Sequence, residues 1–309
     1  AEADRVRRAE VGEQVHLRGL IEFSNFCARN CLYCGIRAGN SGLKRYRLSN
    51  VQILTCAAQA EKLGYGTVVL QAGEDPFFTA KLLVEIVAGI KQRHKLAVTL
   101  SVGEMSLGDY KLLRQAGADR FLLRFETSDR KLFATLKPDS DYDRRFACLR
   151  SLRAAGFQVG SGIMTGLPGQ SLESIARDIQ LFGELELDMV GVGPFIPHPD
   201  TPLGGAKPST ALLALKVVAL ARLVTRNAHI PATTALGSIE GDARGSALRC
   251  GANVLMPNLT PPALRGCYSL YPGKRCITEG GEDACPNLED LLAGRPHASG
   301  PGHSLKSRS

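Results

Sequence analysis

No uninterrupted apolar run in these 309 residues approaches the roughly 18 that a membrane span requires. The opening "AEADRVRRAEVGEQVHLRGL" also lacks an apolar core and a small-residue cleavage site behind its basic residues. Neither a membrane protein nor a secretory leader is expected, and the chain reads as soluble and cytoplasmic. A disulfide framework is unexpected too, because nine cysteines in an unsecreted chain stay reduced and available for metals or catalysis. No RNA-binding module is appended. The formal charge of +8 is spread through stretches such as "RDIQLFGELELD", where basic and acidic residues mix as on a solvated helix face. Nucleic acid is therefore not an expected partner.

A hydrophobic content of 44% over this length is enough for one sizeable core. Eight short β-rich runs recur: "GLIEFSN", "TVVLQ", "LAVTLS", "RFLLRF", "FQVGSGIM", "DMVGVGPF", "IPATTA" and "ANVLMP". Amphipathic helical stretches separate them. In "SNVQILTCAAQAEKLG", Ser49 can cap the first turn, Gln52 can complete a capping box, and Gly64 can end the helix. In "SLESIARDIQLF", Leu172, Ile175, Ile179 and Phe182 carry the spacing of a stripe that packs on a sheet. Alternating strands and helices predict an α/β fold, a closed (β/α)8 TIM-type barrel, in which every strand finds two neighbours. One domain is expected over residues 1–290, with a C-terminal extension from about residue 257. The basic, Gly/Pro/Ser-rich stretch 291–309 is expected to be a disordered tail.

Barrel enzymes place their chemistry where strands end and the following loops begin. Unusual residues fall there repeatedly: Cys27 to Cys34 after the first run, "QAGED" after the second, "SVGE" after the third, Arg124 and Glu126 at the fourth. "MTGLPG", "PFIPHPD", Thr233 with Thr234, and "MPN" follow in turn.

The stretch "FCARNCLYCG" crowds Cys27, Cys31 and Cys34 together with no fourth ligand beside them. A structural zinc site closes on four ligands, and the nearest upstream histidine, His16, lies across the first strand. A [4Fe-4S] cluster is usually held by four cysteines, one per iron, so three leave one iron open to a small molecule.

"CARNCLYC" resembles the CxxxCxxC loop of radical S-adenosylmethionine enzymes. Further segments, in order, are similar to the HydE family of [FeFe]-hydrogenase maturases: "IEFSNFCARNCLYCGIR", "LKRYRL", "VVLQAGEDP", "LLRFET", "GLPGQ", "VGPFIPHPDTPL", "IPATTALG" and "CGANVLMPNLTP". The resemblance implies a radical SAM barrel that uses a [4Fe-4S] cluster on Cys27, Cys31 and Cys34 and cleaves S-adenosyl-L-methionine reductively. Activity should be oxygen-sensitive. It further implies that Gly73 and Glu74 of "QAGED", Thr99, Ser101, Glu126 and Arg145 hold that cofactor. Glu126 would take the ribose hydroxyls and Arg145 the methionine carboxylate; Met256 and Tyr268 would line the adenosyl end. Arg124, Thr233 and Thr234 would anchor an anionic substrate, an organometallic iron species or a cysteine-derived molecule. Other hydrogenase maturases and an electron donor would be transient partners.

Cys56 and Cys148 read as core side chains on helices, Cys250 is read the same way, and His198 as an orienting loop residue. Cys276 and Cys285 match two of three positions that many relatives use for a second cluster; the third is Leu288, so a stable second cluster is not expected. Three alternatives remain open: a methylornithine synthase, a biotin synthase-like enzyme, and a non-catalytic iron–sulfur scaffold. Biotin synthases need extra barrel cysteines, and the strand ends here offer none.

Overall fold

The computed structural model describes residues 1–239, 241–275, 288–298, 300 and 302. Eight strands are present among them: β1 (Val15–Ser24), β2 (Thr67–Ala72), β3 (Ala97–Ser101), β4 (Arg120–Leu122), β5 (Gln158–Thr165), β6 (Met189–Pro194), β7 (Val254–Leu255) and β8 (His297–Ala298). The helices between β1 and β6 are α2 (Asn50–Lys62), α3 (Ala80–Arg93), α4 (Leu107–Gln115), α5 (Arg130–Leu136), α6 (Tyr142–Ala154) and α7 (Leu172–Glu184), and α1 (Glu2–Val11) precedes them. After β6 come α8 (Ala211–Thr225), α9 (Thr234–Gly237), α10 (Arg244–Arg249), α11 (Pro262–Arg265) and α12 (Leu288–Leu292).

The strands pair in the order β6-β5-β4-β3-β2-β1-β7, all parallel. Isolated parallel bridges from Met189 to His229 and from Pro231 to Val254 carry the pairing from β6 round to β7. The barrel therefore closes, with one departure from the expected strand list. "IPATTA" contributes single bridges instead of a seventh strand, because Pro231 has no N–H to donate and Thr233 already occupies the N-terminal boundary position of α9.

The expected eighth run, "ANVLMP", forms β7, and β8 is an additional strand off this ring that pairs with Val15 and His16 before the β2 pairing starts at Arg18. That strand lies inside the stretch expected to be a disordered tail. Residues 288–298 instead pack on the barrel: Leu291, Leu292 and Ala298 are buried, and Val15 N–H donates to Pro296 O at 2.9 Å. Arg295 adds bonds to Glu13 O and Leu248 O. A few apolar side chains and the free backbone edge of β1 suffice to order this segment despite its composition.

Local signals set the helix boundaries. Ser49 and Gln52 form the capping box of α2, and Gly64 follows with φ 73°. Ser171 caps α7, whose buried face carries Ile175, Ile179 and Phe182. Leu172, expected in that stripe, is exposed, and Asp178 is buried in its stead.

Side chains alternate along β1: Ile21 and Phe23 join the helix-facing core, while Arg18, Leu20 and Glu22 face the barrel interior. The interior is hollow because the inward positions Gly191 and Gly193 on β6 carry no side chain. A Cβ on either would find its nearest neighbour only at 3.7–3.8 Å.

Candidate active site

A cavity of about 330 Å³ opens at the strand ends and runs into the barrel. Cys27, Cys31 and Cys34 line it, on the loop that follows β1. Backbone bonds fix that loop from several sides: Ala28 N–H to Glu74 O, Leu32 N–H to Leu136 O and Gly35 N–H to Leu270 O, at 2.8–3.0 Å. Arg45 closes it from within by donating to the carbonyls of Asn25, Ile36, Arg37 and Asn40. Gly73 permits the approach of β2, since a Cβ there would stand 2.2 Å from Phe26 O and 2.7 Å from Cys27 Cβ. Burial raises the pKa of all three thiols above the usual cysteine value. Thiolates here need a cationic partner.

The cavity wall beyond the thiols is a charge network. Glu74 meets Arg29 at 2.6 Å and Arg145 at 3.2 Å. Behind that wall Glu104, whose side chain is buried, meets Arg145 at 2.9 Å, Arg144 at 3.1 Å and Arg29 at 3.5 Å. Glu126 meets Arg124 at 3.1 Å. Its backbone sits at φ 68°, unusual for a residue with a side chain, and is held by bonds to Gly162 and Met164 of β5. Thr99 Oγ1 is buried without a hydrogen-bond partner among the described residues, and Ser101 lies on the same wall.

Deeper in the barrel, Thr233 Oγ1 donates to Val192 O at 3.2 Å, and Thr234 Oγ1 lies 2.8 Å from the Tyr271 hydroxyl. Arg18 is almost fully buried. Its Nη1 approaches Met189 Sδ, while Nε and Nη2 find no hydrogen-bond partner among the described residues. Burial holds its pKa well below the ordinary arginine value. Tyr268 covers another side, pinned by Lys274, which pairs with the buried Glu22 and stacks on the Tyr268 ring at 4.8 Å. Met256 completes the lining.

The family profile of the Radical SAM superfamily matches residues 21–182. The "[FeFe] hydrogenase maturase subunit HydE" of Thermotoga maritima is 46% identical over 297 residues, which cover 95% of this chain and 85% of that one. The chain belongs to the HydE family of radical SAM enzymes. The 3-methylornithine synthase of Methanosarcina acetivorans is more distant, 31% identical over 82% of this chain and 72% of its own length. A crystal structure of methylornithine synthase (PylB) superposes with a TM-score of 0.83 at 28% identity, covering 96% of this chain and 87% of that one.

The residues of this HydE-family chain fit the cofactors of the superfamily. Among the described residues no three His, Cys, Asp or Glu side chains converge on a point suited to one metal ion. The three thiols instead share the wall of a larger chamber, which suits a cluster that presents a separate iron to each thiolate. Every site residue foreseen from the sequence within the described segments lines this cavity: Gly73, Glu74, Thr99, Ser101, Arg124, Glu126, Arg145, Thr233, Thr234, Met256 and Tyr268, with the three cysteines. Cys276 and Cys285 lie outside the described residues. Cys56 and Cys148 are buried, and His198 bonds to Ser269 at 3.1 Å outside the cavity lining.

Sequence reasoning missed Arg18, Arg29, Arg45, Glu104, Lys137 and Tyr271. Arg18 was legible in principle, because an arginine in register with the inward Leu20 and Glu22 must face the barrel. The others sit on loops, where no periodicity reports direction.

Proposed function

We propose that this protein is a cytoplasmic maturase that acts on a small organometallic iron species, or a cysteine-derived molecule, during assembly of the [FeFe]-hydrogenase active site. The observation that carries this reading is the continuity of one cavity from the three thiols to the arginine-bearing barrel interior. In it Cys27, Cys31 and Cys34 would hold the [4Fe-4S] cluster, and three thiolates would leave one iron for S-adenosylmethionine. Bound there, the two would supply one-electron reductive cleavage of the cofactor's sulfonium.

The chain's own part is binding and orientation. Glu126 offers a carboxylate to the ribose hydroxyls, and Gly73 lets the β2 end lie close against the cluster loop. Arg124, Thr233, Thr234 and Arg18, whose Nε and Nη2 lack partners among the described residues, suit an anion bearing several acceptor atoms, since a buried guanidinium with free N–H groups gains most from a charged acceptor. Gly191 and Gly193 leave space for it. Among the described residues no helix is long and apolar enough to cross a membrane. Other maturases and an electron donor would meet the protein only transiently.

A cell-free hydrogenase maturation mixture depleted of its HydE-family component provides the test. Addition of this protein, anaerobically reconstituted, should restore hydrogenase activity. Failure to do so together with formation of 3-methylornithine would move the protein to the methylornithine synthase side of the family.

A further inference from the structure

The segment "LKRYRL" takes no part in the cofactor or substrate contacts assigned above. In space it braces the cysteine loop. Lys44 O accepts from Asn25 Nδ2 at 2.8 Å, Tyr46 N–H donates to Asn25 Oδ1 at 2.7 Å, and Arg47 lies over the Phe26 ring while it pairs with Asp75. Arg45 spans the loop itself. Its Nη1 donates to Asn25 O at 2.5 Å and to Ile36 O at 2.8 Å, two residues before Cys27 and two residues after Cys34. Its Nη2 donates to Arg37 O at 2.6 Å and to Asn40 O at 3.2 Å. One guanidinium thus joins the entry and the exit of the stretch that carries all three thiols. Other arginines around this loop are matched by carboxylates: Arg29 by Glu74, Arg47 by Asp75, Arg124 by Glu126, and Arg145 by Glu74 and Glu104. Lys137 faces the Phe133 ring, 5.3 Å from its centroid, and acts on Cys31. Arg45 acts on Cys27 and Cys34, its Nη groups end on carbonyls, and no carboxylate pairs with it among the described residues.

We infer that Arg45 sets the reduction potential of the cluster, its uncompensated charge favouring the reduced form. A guanidinium whose N–H groups end on carbonyl dipoles keeps its full positive charge, whereas one paired with a carboxylate presents little net charge to its surroundings. Net charge and hydrogen bonding around an iron–sulfur centre are what tune its potential. One electron enters from an external reductant and adds one negative charge behind Cys27 and Cys34; Arg45 offsets that charge and neither gives nor takes a proton. The planar fork of an arginine also reaches four carbonyls at once, which a lysine ammonium does not reproduce. Charge and loop geometry are therefore separable by substitution. The inference rests on the cluster of the proposed function and is independent of the substrate's identity.

The experiment is a mediated redox titration of anaerobically reconstituted protein without S-adenosylmethionine, followed by the EPR signal of the reduced cluster, with iron measured on the same samples. R45Q should lower the midpoint, so that at a fixed potential the ratio of reduced to oxidised cluster falls about fivefold, or about 40 mV at about 59 mV per decade for one electron. R45K keeps the charge and loses part of the bonding, and that ratio should stay within about twofold of wild type. N40D keeps the bonds that Arg45 makes and puts a carboxylate on a residue it touches, so it should move the midpoint in the same direction as R45Q. An unchanged midpoint in R45Q would overturn the inference. Equal shifts in R45Q and R45K would do the same, because loop geometry and not charge would then be responsible. If R45Q retains no iron, N40D decides, and a midpoint there equal to that of wild type overturns the inference. Wild-type protein that takes up no cluster would instead remove the proposed function itself.

Discussion

Arg124 Nη2 stands 3.1 Å from Glu126 Oε2, joining two residues that the family resemblance assigns to different ligands. The pairing follows from backbone geometry. β4 ends at Leu122, and the chain beyond it, with Glu126 at φ 68°, brings positions 124 and 126 to the same cavity. Arg124 also donates to Ile163 O, so it bridges the fourth and fifth strand ends. The cofactor and substrate roles proposed for these two residues are thus linked through one ion pair.

The coupling is measurable. Glu126→Gln keeps the side-chain shape at a strained backbone position and should weaken S-adenosylmethionine binding by roughly 1–3 kcal/mol. Arg124→Met should weaken it as well, by leaving Glu126 without its partner. The double variant should fall short of the sum by about 0.5–2 kcal/mol in a calorimetric double-mutant cycle. Strict additivity would mean that the pair is incidental.

Gly73→Ala should strip the cluster while leaving the barrel folded. A Cβ at this position meets the backbone oxygen of Phe26 at 2.2 Å and Cys27 Cβ at 2.7 Å, and a backbone oxygen cannot rotate away. The Cys27 end of the loop must shift, so iron per chain should drop sharply in anaerobically reconstituted protein. The far-ultraviolet circular dichroism spectrum should be preserved. Full iron content in this variant would show that the loop accommodates the change.

Gly193→Val should separate the two halves of the chemistry. A Cβ here would lie 3.8 Å from Arg124 Nη1 and from Thr233 Oγ1, so larger branches fill the substrate end without a backbone clash. Formation of 5′-deoxyadenosine should persist, and hydrogenase maturation should fall at least about 10-fold, the loss of roughly 1.4 kcal/mol of binding. Equal loss of both would place the cofactor deeper in the barrel than Glu126 indicates.

Asp178 gives a pH signature away from the site. It is fully buried on α7, accepts from Ser128 N–H at 2.6 Å, leaves Oδ2 unpartnered, and burial raises its pKa to about 6. The folded state therefore holds a proton that the unfolded chain releases near pH 4, and the carboxylate destabilises the fold as pH rises from about 4 to 6. Asp178→Asn should raise stability by about 1–3 kcal/mol above pH 6.5 and by nothing near pH 4, read from denaturant midpoints. A gain independent of pH would show that ionisation is not the cause.

The sequence was most informative where chemistry or capping is local. The CxxxCxxC spacing marked three thiols that share one cavity, and Ser49 with Gln52 marked the start of α2. It was least informative where a distant partner decides. Nothing local in "GRPHAS" says that residues 297 and 298 will pair with β1, because the pairing depends on a backbone edge left free almost 300 residues earlier. The run "IPATTA" has strand composition, yet Pro231 and the α9 boundary at Thr233 limit it to bridges. The partners of Arg145 were hidden for a similar reason. Glu74 and Glu104 reach it from the loops after β2 and β3, so an arginine that looks available for a ligand in sequence is already engaged in space.

Cys27, Cys31 and Cys34 are proposed to carry one open-iron cluster that cleaves S-adenosylmethionine. The most direct measurement of this is 5′-deoxyadenosine formed by anaerobically reconstituted protein with dithionite, alongside iron content, in wild type and in Cys31→Ala. Wild type should hold about four irons and form 5′-deoxyadenosine, and the variant should lose both, because two thiolates do not retain the cluster. Undiminished 5′-deoxyadenosine from Cys31→Ala, or none from wild type holding its four irons, would contradict the account.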